Sequence, residues 1–302
     1  TITEKFCRSM RETSAIRWIP NIFLSQEEVD AFKSESTEND ETETVNTSLI
    51  RIAPTAESGT ETADDGVELI AITRGTAKGK LLIVRDPSRV ILGVSSEEFN
   101  AKTPGLQLTE LVAKYGGVAG TNAGGFNDEN GRGNGGVPQG LVISGGALLH
   151  TAREDERYNV VGFDADHILH VGTMTADEAI AQGLTDAVSF RTHDGLASSL
   201  IINGEVQSKN LGGGVNPRTA IGQCADGSVL LLVLDGRSIN TLGATMQDVA
   251  DIMLEYGAVN AGNLDGGSSS VMVYDGEIIN NCASVTGPRN IPTAFIVLPE
   301  GD

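Results

Sequence analysis

The sequence predicts an α+β protein made of two related sheet-plus-helix lobes, with mostly antiparallel or mixed strands and a functional site between the lobes. Three observations support this prediction. Short β-branched runs, separated by the turns that 37 glycines supply in 302 residues, outnumber the helical segments. Two parts of the chain share a helix, glycine, strand and asparagine pattern. Polar residues cluster where the predicted strands end, which is where a rigid scaffold often carries functional side chains.

The individual elements follow from local patterns. Helices with a cap signal or a glycine stop are predicted at Ser25–Phe32, at Leu106–Tyr115, from Thr175 onward, and at about Thr245–Tyr256. Strands are predicted at Val67–Thr73, Leu81–Arg85, Val90–Val94, Val118–Thr121, Leu141–Ser144, Ala147–His150, Val160–Phe163, Ile168–Val171, Ala187–Phe190, Leu200–Ile202, Thr219–Gly222, Val229–Leu234 and Thr293–Leu298. The unbroken apolar run of Val229–Leu234 indicates a strand that is buried on both faces.

Composition divides the chain into two parts. Residues 1–65 are predicted to be an N-terminal extension, with a solvated acidic tether over residues 33–65. Residues 66–302 are predicted to form the globular domain. The net charge of -20 argues against nucleic acid as a partner and against binding of the whole surface to an anionic membrane. No apolar run is long enough to span a bilayer.

The two lobes are predicted from an internal repeat. The segment Gly105–Gly125 contains a helix, a glycine stop, a buried strand, Asn122 and a Gly-Gly turn. The segment Gly243–Gly267 has the same order, with Asn263 at the matching strand end and Asp265 inserted before its two glycines. If the repeat is real, the pocket lies between the lobes and the carboxylate belongs to one side only. A chance similarity between common turn sequences is the alternative.

The stretch from residue 257 to residue 281 is the most informative one. A glycine stop and a buried strand lead to Asp265, two glycines and three serines, and a hairpin turned at Asp275–Gly276 follows. Asp265 is therefore expected at a strand end, on a turn whose glycines permit close approach to the backbone. A tight turn in which this aspartate caps its own backbone is the plainer alternative.

Acidic, cationic and amide side chains at predicted strand ends suit an anionic substrate whose reaction develops positive charge. Arginine binds phosphate with a planar fork, and a carboxylate serves as nucleophile, general base or stabiliser of an oxocarbenium-like sugar. The candidate catalytic residues are Asp265, Asp235 and Arg218. The candidate substrate- or phosphate-binding residues are Asn122, Arg237, Asn263, Gly266, Gly267, Ser268, Ser269, His193 and Arg289, and the amides of residues 266–269 suggest an anion-binding nest. Ordinary turn and loop roles are the alternatives, especially for Asp235-Gly-Arg237 and His193.

Several familiar chemistries lack their motifs in this chain. There is no nucleotide-binding P-loop, no G-x-S-x-G nucleophile elbow and no H-E-x-x-H zinc pattern. Cys7, Cys224 and Cys282 are an odd number at no metal-ligand spacing, and the last two are expected to be buried fillers. The loop Asn127–Gly131 is rich in oxygen ligands but lacks the EF-hand spacing. The sequence therefore indicates no certain cofactor, and a bound calcium or magnesium ion is an open alternative.

A series of short segments resembles the phosphodiester glycosidase domain family in a bacterial, exported form. The segments are Asn122-Ala-Gly-Gly-Phe126, Pro138–Gly146, Pro217–Gly222, Leu234–Arg237, Gly243–Thr245 and Asn263–Met272, followed by Asn280 and Arg289. The ordered set, from about Gly66 to the C-terminus, is specific although each segment alone is short. One departure is that the family usually shows two aromatic residues after the first Gly-Gly, whereas Phe126 is followed here by Asn127.

The resemblance implies hydrolysis of the bond between a sugar's anomeric carbon and a phosphodiester. Asp265 would assist attack at C1, and arginines or backbone amides would clamp the phosphate. The expected substrate is a carbohydrate such as a GlcNAc-1-phosphodiester, a cell-envelope phosphoglycan or an exopolysaccharide. The segment Phe23–Glu28 and the acidic stretch resemble membrane-proximal parts of bacterial members. This resemblance implies an exported protein at the cell surface, which contacts the membrane only through an anchor outside this sequence. A polysaccharide-binding module without turnover and a phosphodiesterase that cleaves at phosphorus are the alternatives.

Overall fold

Three antiparallel sheets form the body of the protein. The structure is a computed structural model that describes residues 3, 7, 10, 19–30, 44–52, 66–128, 133–153, 156–190, 199–207, 211, 213–236, 243–284 and 287–301. Within these residues, the paired strands of every sheet run antiparallel. In this part of the chain no helix is long and apolar enough to cross a membrane.

Short strands and a few helices alternate along the chain. The strands are β1 (Val67–Arg74), β2 (Ala77–Val84), β3 (Val90–Val94), β4 (Ala119–Asn122), β5 (Leu141–Ser144), β6 (Ala147–Thr151), β7 (Tyr158–Asp164), β8 (Leu169–Met174), β9 (Leu184–Ser189), β10 (Ser199–Ile202), β11 (Glu205–Val206), β12 (Arg218–Cys224), β13 (Val229–Leu234), β14 (Ala258–Asn263), β15 (Met272–Tyr274), β16 (Glu277–Ile278) and β17 (Thr293–Val297). The helices are α1 (Pro20–Phe23), α2 (Gln26–Asp30), α3 (Leu108–Lys114), α4 (Ala176–Ala181) and α5 (Met246–Glu255), with 3-10 turns at Thr47–Leu49, Pro87–Arg89 and Gly267–Ser269.

The three sheets share one large apolar core. Their strand orders are β1-β2-β13-β12-β14-β10-β11, β16-β15-β4-β17-β3 and β6-β5-β9-β7-β8. Side chains from all three sheets meet in this core, among them Leu231, Phe295 and Val188. Helix α5 covers the other face of the first sheet, and α3 covers the other face of the second. The predicted α+β fold with antiparallel sheets in lobes is confirmed, and a third sheet, covered by α4, is added to it.

The internal repeat corresponds to two similarly built units. Helix α3 leads through Gly116 into β4, and α5 leads through Gly257 into β14. Both glycines have positive φ, +66° and +86°, which reverses the chain from each helix into its strand. Each strand lies inside its sheet, where β4 pairs with β15 and β17 and β14 pairs with β10 and β12. The repeat therefore delivers Asn122 and Asn263 to equivalent strand ends.

Local signals set several boundaries as expected. Thr175 and Thr245 begin α4 and α5 by accepting hydrogen bonds from the backbone of Glu178 and Asp248, whose side chains bind back to complete capping boxes. Val229–Leu234 is buried along its whole length, as its apolar run predicts. Of the three cysteines, Cys7 is buried, whereas Cys224 and Cys282 are only half-buried, so the expectation of buried fillers is wrong for these two.

A short part of the predicted tether packs against the domain. The backbone N–H of Asn46 donates to Asn203 Oδ1 (2.7 Å), and that of Arg51 donates to the Ala225 carbonyl (2.8 Å). Val45 belongs to the large core, and Ile50 is also buried. Residues 44–52 are thus a packed strap rather than solvated chain. The domain boundary at residue 66 stays a prediction.

The strap should contribute to stability. Ile50→Ala should lower the free energy of unfolding by about 2 kcal/mol, because this buried side chain would leave a cavity. Leu49→Ala is the matched control, since Leu49 is 40% exposed and its loss should be nearly neutral. Urea unfolding of both variants measures the difference, and equal midpoints would show that the strap does not stabilise the fold.

Candidate active site

Hydrogen bonds join the ends of the two equivalent strands β4 and β14. Asn122 Nδ2 donates to the Asp265 carbonyl (2.6 Å), and the Asp265 N–H donates to the Ala123 carbonyl (2.9 Å). Asn122 Oδ1 accepts from Thr219 Oγ1 (2.9 Å) and from the Val271 N–H (3.1 Å). Through these hydrogen bonds the Asn122 amide, which is only 1% exposed, links three segments of the protein and positions Asp265.

Asp265 has an unusual carboxyl. The residue keeps part of its solvent exposure, but protein atoms surround the carboxyl closely, and this burial raises its pKa from 3.8 to about 7. The negative charge of Asp128 raises the pKa as well, whereas hydrogen bonds from the Ser269 hydroxyl and the Gly266 N–H and the charge of Arg289 oppose the rise. At neutral pH the group is therefore divided between its acid and carboxylate forms.

Arg289 forms a tight ion pair beside this carboxyl. Its Nη1 and Nη2 atoms bind both oxygens of Asp128, at 2.9 Å and 2.7 Å, in a fork-like arrangement. Nη1 also donates to Ser268 Oγ (3.2 Å), and Nη2 donates to the Gly133 carbonyl (3.0 Å). The guanidinium lies 5.1 Å from the centre of the Phe126 ring. Arg289 thus ties the loop after β4 to the turn after β14.

Asp128 was not among the candidate site residues. The sequence marks its loop only as rich in oxygen ligands, and its partner Arg289 lies 161 residues away along the chain. A cation bound to this carboxylate would have to displace the guanidinium. Among the described residues, no three His, Cys, Asp or Glu side chains are placed to hold a metal ion together.

The structure places Asp235 and Arg218 in other hydrogen-bond networks. Asp235 accepts from the backbone N–H and Nδ2 of Asn281, at 2.9 Å and 3.1 Å, and is not among the groups that shift the pKa of Asp265. Arg218 donates to the carbonyls of Ala244 (3.2 Å) and Gly214 (2.7 Å). Both side chains are buried, at 6% and 4% exposure, and these contacts order the loops at the ends of β12 and β13.

The turn after Asp265 uses much of its own hydrogen-bonding capacity. The Gly267 N–H donates to the Pro217 carbonyl (3.0 Å), the Ser269 N–H donates to the Gly266 carbonyl (3.2 Å), and the Gly266 N–H reaches the Asp265 carboxyl. Three of the four amides in the expected nest therefore already have acceptors within the protein. Gly267 has φ +63°, a conformation that glycine adopts without strain.

Three further candidates remain to be placed. Asn263 is 1% exposed, and its Oδ1 atom has no hydrogen-bond partner among the residues that the structure describes. It lies at the end of β14, two residues before Asp265, as the repeat predicts. His193 and Arg237 lie outside the described residues. The structure thus brings Asp265, Ser268, Ser269 and Arg289 together and adds Asp128 to them.

The Asn122 amide should be important for folding. Asn122→Ala should lower the free energy of unfolding by roughly 3 kcal/mol, because the Thr219 hydroxyl and the Val271 N–H would lose their buried acceptor. Asn127→Ala is the matched control, since Asn127 is exposed. Chemical unfolding measures both changes, and similar stability of the two variants would contradict the linking role.

The pKa of Asp265 predicts how stability depends on pH. A raised pKa means that the folded protein holds a proton that the unfolded chain releases, so wild-type stability should fall as pH rises from about 4 to about 7. The Asp265→Asn variant has no ionisable group at this position, so its stability should not fall in this way. The stability difference between the variant and the wild type should therefore shift in favour of the variant by roughly 3 kcal/mol between pH 4 and pH 8. Urea unfolding across this range measures it, and a difference that does not depend on pH would refute the assignment.

Comparison with solved structures identifies proteins that share this fold. One similar structure is the catalytic domain of zebrafish N-acetylglucosamine-1-phosphodiester alpha-N-acetylglucosaminidase, auto-inhibited by its pro-peptide. Its sequence is 19% identical to this chain, and the TM-score is 0.62 over 86% of this chain and 88% of that one. A putative exported protein from Burkholderia pseudomallei is 17% identical, with a TM-score of 0.52 over 75% of each chain. At these identities the similarity shows a shared fold.

Sequence comparison agrees with the fold. The SPbeta prophage-derived uncharacterized protein YomE of Bacillus subtilis is 38% identical over 87 residues, which are 29% of this chain and 14% of that protein. The matched part thus spans a small fraction of the curated relative's length. The profile of the phosphodiester glycosidase family matches residues 115–298, a range that begins at the end of α3 and includes the Asp265 turn and Arg289. The chain therefore belongs to the phosphodiester glycosidase family.

Proposed function

We propose that this protein hydrolyses the bond between C1 of a sugar and the phosphate oxygen of a glycosyl-1-phosphodiester. The observation that carries the proposal is the Asp265 carboxyl, with a pKa of about 7 beside the Asp128–Arg289 ion pair. The zebrafish protein of the same fold is named as an enzyme for N-acetylglucosamine-1-phosphodiesters. That name supports N-acetylglucosamine as the first sugar to test, in a cell-envelope phosphoglycan or an exopolysaccharide.

In the proposed reaction water supplies the new oxygen on the sugar. The C1–O bond to phosphate breaks, a C1–O bond to the water oxygen forms, and the bonding electrons leave with the phosphate. The other products are a phosphomonoester and the proton that water releases. The phosphate departs as a stabilised anion, so strong protonation of the leaving group is less necessary than in an ordinary glycoside.

Asp265 is suited to assist the attack at C1. As a carboxylate it acts either as the base that takes the proton of the attacking water or as the nucleophile at C1. A base with a pKa near the working pH combines a useful deprotonated fraction with a strong tendency to accept the proton. Both roles require the deprotonated form, so kcat/KM is expected to rise with pH through about 7.

Cationic side chains are proposed to bind the phosphate. Arg289 is positioned beside the Asp265 carboxyl. Arg218, whose side chain donates to two backbone carbonyls, is kept as a proposed phosphate ligand on its sequence pattern. Arg237 and His193 are kept as proposed phosphate ligands. Positive charge near the departing phosphate stabilises the charge that develops on it.

The proposal predicts a specific loss in one variant. Asp265→Asn should keep the fold and reduce sugar release from a GlcNAc-1-phosphodiester by at least about 100-fold, because the amide is neither base nor nucleophile. Asp275→Asn is the matched control, since Asp275 is exposed on a hairpin turn at φ +50°, where asparagine is well tolerated. Mass analysis of products measures both rates, and unchanged turnover in Asp265→Asn would remove this residue from the reaction.

The same assay in ¹⁸O-labelled water separates the proposal from its rivals. Label in the sugar supports cleavage at C1, whereas label in the phosphate would indicate a phosphodiesterase that cleaves at phosphorus. Saturable binding of the phosphoglycan without product would indicate a polysaccharide-binding module.

We also propose an exported location at the cell surface. The shared fold with the putative exported protein of Burkholderia pseudomallei supports this location.

A further inference from the structure

We propose that Asp128 is a positioning residue of the proposed reaction, which acts through Arg289 to hold the turn that carries Asp265 and to balance the charge around its carboxyl. This inference rests on the proposed function and adds to it a residue from the other lobe. Asp128 follows β4, whereas Asp265 follows β14, so the two carboxylates come from equivalent ends of the repeated units.

Both oxygens of the Asp128 carboxylate accept hydrogen bonds from the protein. Its oxygens accept from both terminal nitrogens of Arg289, and Oδ1 also accepts from the Gly133 N–H at 2.7 Å. The side chains of Asp128 and Arg289 are only 18% and 11% exposed. A paired carboxylate in this setting is a poor direct base, since three of its roughly four acceptor sites already hold hydrogen bonds. Its effect on the reaction must pass through its partner.

A continuous chain of contacts leads from Asp128 to the Asp265 carboxyl. Arg289 Nη1 bridges Asp128 Oδ2 and Ser268 Oγ, at 2.9 Å and 3.2 Å. Ser268 lies in the 3-10 turn next to Ser269, whose hydroxyl binds the Asp265 carboxyl. Loss of the ion pair would therefore release the turn from the loop after β4 and loosen the hydroxyl that orients the reacting carboxyl.

The pair also acts on Asp265 by charge. Asp128 disfavours the carboxylate form of Asp265, whereas Arg289 favours it, and the two effects oppose each other while the pair is intact. Removal of one partner leaves the other charge uncompensated in a poorly solvated site. The two single variants should therefore push the Asp265 equilibrium in opposite directions, which a purely structural contact would not do.

The test compares the pH profiles of two variants. In Asp128→Asn the freed Arg289 should move the pH at which kcat/KM rises to lower values, by on the order of one pH unit. In Arg289→Gln the unpaired Asp128 should move it to higher values. Sugar release from a GlcNAc-1-phosphodiester across pH 5–9 measures both shifts. An unmoved profile in both variants, or shifts in the same direction, would overturn the inference.

Two further variants control for charge and for folding. Asp128→Glu keeps the charge and should leave the profile near that of the wild type. Glu68→Gln removes a charge from an exposed ion pair with Arg85 and should leave it unchanged. If Asp128→Asn does not fold, Arg289→Gln and Asp128→Glu still decide the question, because only the variant that removes a charge should shift the profile.

A second measurement separates this inference from the proposed function. ¹³C NMR titration of the aspartate carboxyls, with the Asp265 signal assigned by its loss in Asp265→Asn, follows the same equilibrium without substrate. Opposite shifts in the two variants support the role of the pair even if the wild type releases no sugar. If the wild type releases sugar but the Asp265 titration is unshifted in both variants, the proposed function is supported and the positioning role is rejected.

Discussion

The hydrogen bond from the Asn122 amide to the Asp265 carbonyl is the constraint on which the site depends. It is 2.6 Å long, comes from a buried amide, and links the ends of the two strands that the repeat places at equivalent positions. The Oδ1 atom of the same amide accepts a hydrogen bond from Thr219 in β12 and another from Val271, the residue just before β15. A buried amide that serves three segments fixes their relative positions, because each lost contact would leave an unsatisfied polar group.

This link explains how the protein keeps a carboxyl in a poorly solvated place. A charged group that loses its water shifts towards its neutral form unless opposite charge compensates it. At Asp265 the compensation is partial, because the nearby guanidinium is shared with Asp128 and the Ser269 hydroxyl supplies only one of the opposing hydrogen bonds. The result is a carboxyl that titrates near neutral pH, which is the property that acid–base chemistry requires.

Much of the fold could be predicted because its signals are local. The capping threonines Thr175 and Thr245 sit within three residues of their partners, and the Asp275–Gly276 turn has the two positive φ angles that its sequence predicts. The place of Asp265 just after a strand end could be predicted for the same reason, since it follows a buried strand and precedes glycines. These features need no information about distant parts of the chain.

The rest could not be predicted because it depends on distant contacts. The fork between Arg289 and Asp128 spans 161 residues, and no spacing in the sequence marks the pairing. The contact of Asn46 with Asn203 likewise spans 157 residues, so a polar stretch that suggested solvated chain lies against the domain. The side chain of Asn122 suggested a ligand, but the fold uses it as a link between strands.

The repeat gives a physical reason for the asymmetry of the site. Two equivalent strand ends meet at the junction of the lobes, but only the second copy carries an extra residue, Asp265, before its glycines. The first copy instead continues into the loop that holds Asp128. Two free carboxylates close together would repel, and the charge of Arg289, which is paired with Asp128, reduces that repulsion at Asp265 without cancelling it. In this framework of two similarly built units, one inserted acid and one arginine thus produce a single carboxyl, that of Asp265, with a pKa near neutral.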